Sequence, residues 1–184
     1  MHHINPPDLA HELVYLRPLT RADAPAWYVY LTLPHVLEHT SWQLHSIDDL
    51  LQKFDALESA DPASELRFAI VLRSSGALVG TIGFHSLSLL NLTAEIAYDL
   101  APEVWGRGVA PSACMAMVDW AFARLGAVRV QATALDSNTR TVRVLEKSGF
   151  QREGLLRNFR MVRGESRNFW IYARIRPDID SAKS

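Results

Sequence analysis

From Thr93 to Arg176 the hydrophobic period of the chain alternates between that of a strand and that of a helix, and this alternation most restricts the fold. TAEIAYDL (93–100) alternates as a strand, and a helix is expected from Pro111 to Leu125, closed by Gly126 as a C-terminal cap. VRVQAT (128–133) reads as the next strand, and NTRTVRVLEKSGF as a helix stopped by Gly149. Two strands follow at 151–160 and 167–176, joined by a turn at Arg-Gly-Glu. Upstream, ELVYLRPL alternates as a strand. Helices are expected from Arg21 to Leu33 and from Ile47 to Ser59, the second behind the capping pattern of Ser46 and Asp49. RFAIVL (67–72) and LVGTIGFHSL (78–87) form a hairpin. The order predicts an α/β fold, a mixed sheet with helices on its faces.

The chain has 184 residues, enough for one domain with a real core, and 48% hydrophobic with 21% charged residues is ordinary globular composition. The single cysteine, Cys114, excludes an internal disulfide. Asp8, Glu12 and Asp23 interrupt the first 30 residues, so neither a signal peptide nor a membrane span is expected and the chain is assigned to the cytoplasm. The net charge of −1 conceals an asymmetry: residues 1–123 hold 6 Lys and Arg against 14 Asp and Glu, residues 124–176 hold 12 against 4. The basic part suits a phosphate-bearing ligand or an acidic partner, and equally suits arginines on exposed strand faces that keep the protein in solution. No basic run interleaved with aromatics points to nucleic acid.

The stretch VWGRGVAP raises a specific question, because a helix start leaves four N–H groups without intrahelical partners. Val109 and Ala110, ahead of Pro111, offer no side-chain acceptor to cap them. Gly106 and Gly108 keep side chains away from the backbone, so the amides can converge on an anion, a phosphate by preference. Arg107 either adds a charge contact or points to solvent. A nucleoside-triphosphate loop requires a Lys after its glycine, which is absent. A dinucleotide fingerprint requires a third glycine where Pro111 stands.

VWGRGVA resembles the pyrophosphate loop Q/R-x-x-G-x-G/A of the GNAT superfamily of acyl-coenzyme A-dependent N-acyltransferases, with Trp105 in the Q/R place, Gly108 at the glycine and Ala110 at the last position. AEIAYDLAPEVWGRGVAPSA is similar to the A-E-I-G-Y…P-x-x-W-G-x-G pattern of its RimJ/RimL-like branch, which acetylates ribosomal-protein N-termini. NTRTVRVLEKSGF resembles the same family's N-x-x-S-x-x-V-L-E-K-x-G-F block. The resemblance spans residues 13–176, as one domain between an N-terminal extension (1–12) and a C-terminal tail (177–184). It implies a mostly antiparallel sheet of about seven strands splayed at the cofactor site, about four helices, and acetyl-coenzyme A as co-substrate with no metal. It also implies that amides of Gly106, Arg107, Gly108, Val109 and Ala110 hold the pyrophosphate, that Leu100 bonds the pantetheine, and that Asn138 touches the pantetheine or fixes its loop.

The chemistry so implied is direct attack of an amine on the acetyl thioester, and the amine must be neutral to attack. Glu95, in the strand beside the expected opening, is the candidate base, the alternative being an ion-paired strand carboxylate. Two departures stand out. Leu145 occupies the place where many relatives carry a Tyr acid, leaving Thr141, with Tyr98 and Tyr172 as weaker substitutes, to meet the coenzyme sulfur. Arg160 stands where some relatives place a carboxylate, which counts against a ribosomal-type acceptor and opens an acidic one. Trp27, Tyr30, His39 and Trp42 belong to the segment that roofs the acceptor site in this family. HVLEH, His35 to His39, matches the H-x-x-E-H zinc pattern but has little helix around it and no third ligand. His85 reads as a half-buried strand histidine and Cys114 as core. The reading is therefore an N-acetyltransferase for a primary amine, peptide N-terminus or small molecule, acting as monomer or homodimer. A catalytically silent coenzyme A-binding module is the alternative and a zinc hydrolase the remote one.

Overall fold

The computed structural model describes residues 5–38, 44–59, 61 and 63–180. Strands β1 (Val14–Pro18), β2 (Leu66–Leu72), β3 (Leu78–Ser88), β4 (Thr93–Leu100), β5 (Arg129–Leu135), β6 (Gln151–Val162) and β7 (Glu165–Ile175) form one sheet in the order β1-β2-β3-β4-β5-β7-β6. Every neighbouring pair is antiparallel except β4 and β5. Their connection passes through a helix, as a parallel crossover requires. The helices are α1 (Ala24–Leu31), α2 (Pro34–Leu37), α3 (Ile47–Leu57), α4 (Val109–Arg124), α5 (Thr139–Lys147) and α6 (Pro177–Asp180). The expected α/β architecture holds.

Boundaries differ where proline and glycine chemistry decides them. The helix expected over Arg21–Leu33 is a 3-10 turn, Arg21–Asp23, followed by α1 and then the single turn α2. Pro25 and Pro34 lack the N–H that would continue the ladder, so each sits in the first turn of a new segment. α3 begins as expected: Ser46 Oγ accepts the Asp48 N–H (3.2 Å) and an Asp49 carboxylate oxygen accepts the Ser46 N–H (3.1 Å). α4 starts two residues earlier than expected, at Val109, because Gly108 (φ 78°, ψ 1°) makes the entry in a left-handed conformation that places Pro111 in the third helical position.

Alternation along β2 assigns the faces. Phe68 meets the Trp120 ring of α4 edge-on at 6.0 Å, whereas the guanidinium of Arg67, one residue earlier, lies over the Trp27 ring of α1 at 5.6 Å. Successive strand residues point to opposite faces, so α1 and α4 cover opposite sides of the sheet. α1 packs with α3 through Trp27 and Phe54 (6.1 Å, edge-on), and α4 packs with α5. Trp27, Phe54, Phe68, Ile82, Phe84, Met117 and Tyr172 are fully buried between these layers. β2 and β3 run close together there: a Cβ on Gly83 would stand 1.8 Å from the Leu66 carbonyl oxygen, so only glycine fits.

The described residues ahead of β1 are docked on this body. Leu9 is buried, and the Arg73 guanidinium donates to the carbonyls of His11 (3.0 Å) and Leu9 (3.3 Å). Among the described residues no helix is long and apolar enough to cross a membrane.

Candidate active site

β4 and β5 pair over only three rungs, ending at Glu95 and Gln131, after which the two strands diverge. The divergence opens a cleft of about 730 Å³ that passes through the sheet. Glu95, Ala97 and Asp99 share one face of β4 and Ile96, Tyr98 and Leu100 the other. Asp99 bonds Trp27 and Tyr30 of α1, while Tyr98, on the opposite face, is buried beside Cys114 of α4. The cleft therefore has an α1 side and an α4/α5 side joined at the fork.

The α4/α5 side is built from backbone. Gly106 and Gly108 both have left-handed φ, 73° and 78°, and the N–H groups of residues 106 to 110 have no hydrogen-bond acceptor among the described residues. Consecutive free amides at a helix N-terminus are the partners a pyrophosphate needs. The loop is held from outside: the His11 ring accepts the Leu13 N–H at Nδ1 (3.2 Å) and donates from Nε2 to the Arg107 carbonyl (3.1 Å). The Trp105 indole N–H donates to the Leu100 carbonyl at the end of β4 (2.9 Å), under the Arg140 guanidinium at 4.2 Å. Asn138 caps α5 by accepting the Thr141 N–H (3.0 Å).

The α1 side is built from charged side chains. Glu95 Oε1 accepts from Thr133 Oγ1 (3.0 Å) and Arg160 Nη2 (3.2 Å) and lies 3.3 Å from His85 Nε2; Oε2 accepts from Gln131 Nε2 (3.2 Å). Burial raises the pKa of this carboxyl, but the bonds from His85, Gln131 and Thr133 and the charge of His85 outweigh it and hold the group at about 2. Two register slips aim these partners. Between Phe84 and Ser86 the β3–β4 pairing shifts, so His85 and Ser86 both oppose Glu95. Between Leu156 and Arg160 the β6–β7 pairing shifts, with Asn158 at φ 50°. Deeper in, Asp99 accepts from Thr81 (2.7 Å), Arg67 (3.1 Å), Trp27 (3.1 Å) and Tyr30, and Arg67 also bonds Glu65 (3.2 Å).

The expected site residues thus divide. Glu95, Tyr98, Leu100, Trp105, Gly106, Gly108, Val109, Ala110, Asn138 and Thr141 gather around the cleft, and Arg107 contributes its backbone to the same loop. Trp27 and Tyr30 are seated in the core behind Asp99 rather than on the cleft wall. His39 and Trp42 lie outside the described residues. His35 stands edge-on to Trp105 at 5.5 Å, and among the described residues no three His, Cys, Asp or Glu side chains converge as a metal site. Cys114 is buried, which pushes its thiol up to about 12 and leaves it unreactive. Burial and the neighbouring Cys114 likewise push the Tyr98 hydroxyl upward, so it remains a protonated donor. His85 and His11 also reach the site: a bulge and a contact to Arg107 across the chain place them, and neither leaves a local pattern.

Free amides at a helix entry beside a splayed parallel pair define an anion-binding cleft of the kind a phosphate-bearing ligand fills. The profile of the acetyltransferase (GNAT) domain matches residues 14–151, and the chain belongs to that family. It is 31% identical over 175 residues, 93% of its length and 98% of the relative's, to the uncharacterized N-acetyltransferase YoaA of Bacillus subtilis. Mycobacterium smegmatis RimJ, solved with CoA-disulfide, superposes with a TM-score of 0.82 at 26% identity, covering 95% of this chain and 88% of that one. The spermidine N-acetyltransferase of Vibrio cholerae, solved with CoA and spermine, gives a TM-score of 0.78 at 21% identity over 89% and 95% of the two chains. The protein is accordingly an acyltransferase that uses acetyl-coenzyme A to acetylate an amine.

Proposed function

We propose that the coenzyme lies on the α4/α5 side with its pyrophosphate on the amides of residues 106–110, and that a primary amine enters from the α1 side and meets the thioester at the fork. The observation that carries this reading is the position of Glu95 and Gln131 on the last paired rung, where the two sides of the cleft communicate. The acetyl thioester supplies the activated acyl carbon. The amine nitrogen forms the C–N bond, the C–S bond breaks, and one proton goes to the departing sulfur while another leaves the nitrogen.

A carboxylate held at about 2 is a weak base at neutral pH, so Glu95 positions rather than accepts. Its Oε1 takes the His85 Nε2–H, which leaves His85 Nδ1 with the lone pair that removes the amine proton, and the ionised Glu95 stabilises the imidazolium that forms. Thr141 and Tyr98, which both line the cleft, face the leaving sulfur from the other side and stand in for the acid absent at Leu145. A coenzyme A-binding module without turnover would need the amides alone; the His85–Glu95 pair favours the enzyme. The likeness to RimJ supports placement in the RimJ/RimL-like branch, with a peptide N-terminus or a small amine as acceptor.

Calorimetric titration with acetyl-coenzyme A, followed by thiol release over a panel of amines and peptides, tests the reading. Binding with release is expected. Binding without release on any acceptor would leave the module, and no binding would remove the loop assignment.

A further inference from the structure

We propose that the acceptor is a small amino acid, whose carboxylate is held by the fork of Arg160 while its amine faces His85. The inference rests on the reading of the α1 side as the acceptor site, and it concerns what the rest of that acceptor looks like.

Arg160 belongs to β6, the edge strand, three positions from β4 in the sheet, yet its guanidinium reaches Glu95. The register slip and the left-handed Asn158 turn it into the cleft, which it lines. Its plane is steadied by Phe159 and Phe169, whose ring centres lie 4.9 and 5.5 Å from the guanidinium carbon. Of the five donors a guanidinium carries, only Nη2 has an acceptor among the described residues, and its side chain remains 33% exposed. A fixed, partly exposed fork with spare N–H groups matches the geometry of a carboxylate.

A second observation is independent of the first. Arg160 is directly opposite Arg167 across β6 and β7, and like charges facing each other on a sheet repel. The carboxylates nearest Arg167 are loose, Glu165 at 3.7 Å and Asp136 at 4.0 Å. An anion bound at Arg160 relieves that repulsion. The alternative of a polyamine acceptor finds no counterpart: Glu65 and Asp99 bond Arg67, and Glu95 is surrounded by donors. Because Glu95 Oε1 contacts both His85 (3.3 Å) and Arg160 (3.2 Å), the imidazole and the guanidinium flank one carboxylate oxygen and stand near enough for one small molecule to reach both.

The test compares free amino acids with their carboxamides as acceptors, by thiol release with saturating acetyl-coenzyme A. Each acid is expected to exceed its amide by roughly 10- to 100-fold in kcat/KM, the range of one charged hydrogen-bond pair. Arg160→Gln is expected to bring that ratio near one by lowering the rate on the acid, and Arg160→Lys, which keeps the charge without the fork, to retain part of it. Amides accepted as well as acids, equal losses on both in Arg160→Gln, or release with peptides but no free amino acid would each overturn the inference while leaving the acetyltransferase reading intact. Release with no amine at all would remove both.

Discussion

Replacing Glu95 by Gln separates its electrostatic role from its shape. The carboxyl stands at about 2 against an ordinary 4.5, which corresponds to roughly 3 kcal/mol at about 1.4 kcal/mol per tenfold change in acidity. The side chain is only 12% exposed, so solvent removes little of that figure. The sign follows from the depressed value. The stabilisation is complete above pH 4.5 and is lost as the pH falls from 4.5 towards 2, where the folded carboxyl itself becomes protonated. Glu95→Gln lacks this contribution at every pH. At pH 7 the variant is expected to unfold roughly 6–12 °C below the parent, at about 2–4 °C per kcal/mol for a chain of this size. The gap should narrow steadily below pH 4.5. Thermal unfolding by circular dichroism from pH 2.5 to 7 measures it, and a gap that stays constant over that range would refute the reasoning. The same pair bears on kinetics: Glu95 does not itself titrate in the neutral range, and Glu95→Gln is expected to lower kcat/KM at pH 7 by removing the charge that stabilises the His85 imidazolium.

Gly108→Ala meets open space, its new Cβ lying 3.9 Å from His11 Nε2, so its cost is conformational, about 1–2 kcal/mol for a left-handed alanine. It should weaken acetyl-coenzyme A binding about 5- to 30-fold in calorimetry, and Gly108→Glu should abolish binding by setting a negative charge at the phosphate position. His11→Ala removes the tether on the Arg107 carbonyl and should raise the KM for acetyl-coenzyme A several-fold while changing kcat less; an unchanged KM would show that the loop holds itself. Ser46→Ala should cost α3 about 1 kcal/mol, read as a Tm lower by about 2–4 °C with coenzyme binding unaffected.

Much of this structure is legible in local chemistry. Alternation in 93–100 and the glycines at 126 and 149 mark elements whose ends depend on their own residues, and these elements are where they were expected. The start of α4 was misplaced because Pro111 suggests a first helical position, whereas the residue that decides is Gly108, whose left-handed backbone leaves no pattern. On the donor side the free amides could be inferred, since their cause is an absence of caps along a few consecutive residues. The acceptor side could not. His85 and Arg160 reach Glu95 because two strands slip in register, and a bulge depends on partners far along the chain rather than on the bulged residues. The family resemblance makes Trp27 and Tyr30 roof residues, yet Asp99 supplies a buried acceptor that draws their polar tips inward.

Recognition in the two halves of the cleft has a different material basis, and this bears on how such proteins can diverge. In the proposed arrangement the ligand on the α4/α5 side is read by peptide groups, which every residue possesses, so side chains there can be exchanged at little cost provided the loop keeps its shape and gains no negative charge. On the α1 side it is read by side chains, one of them delivered from an edge strand with a partner on one flank only. An edge strand can gain, lose or shift a residue without unpairing its neighbours. A lineage built on this sheet is therefore free to change what it modifies while keeping the donor that does the modifying.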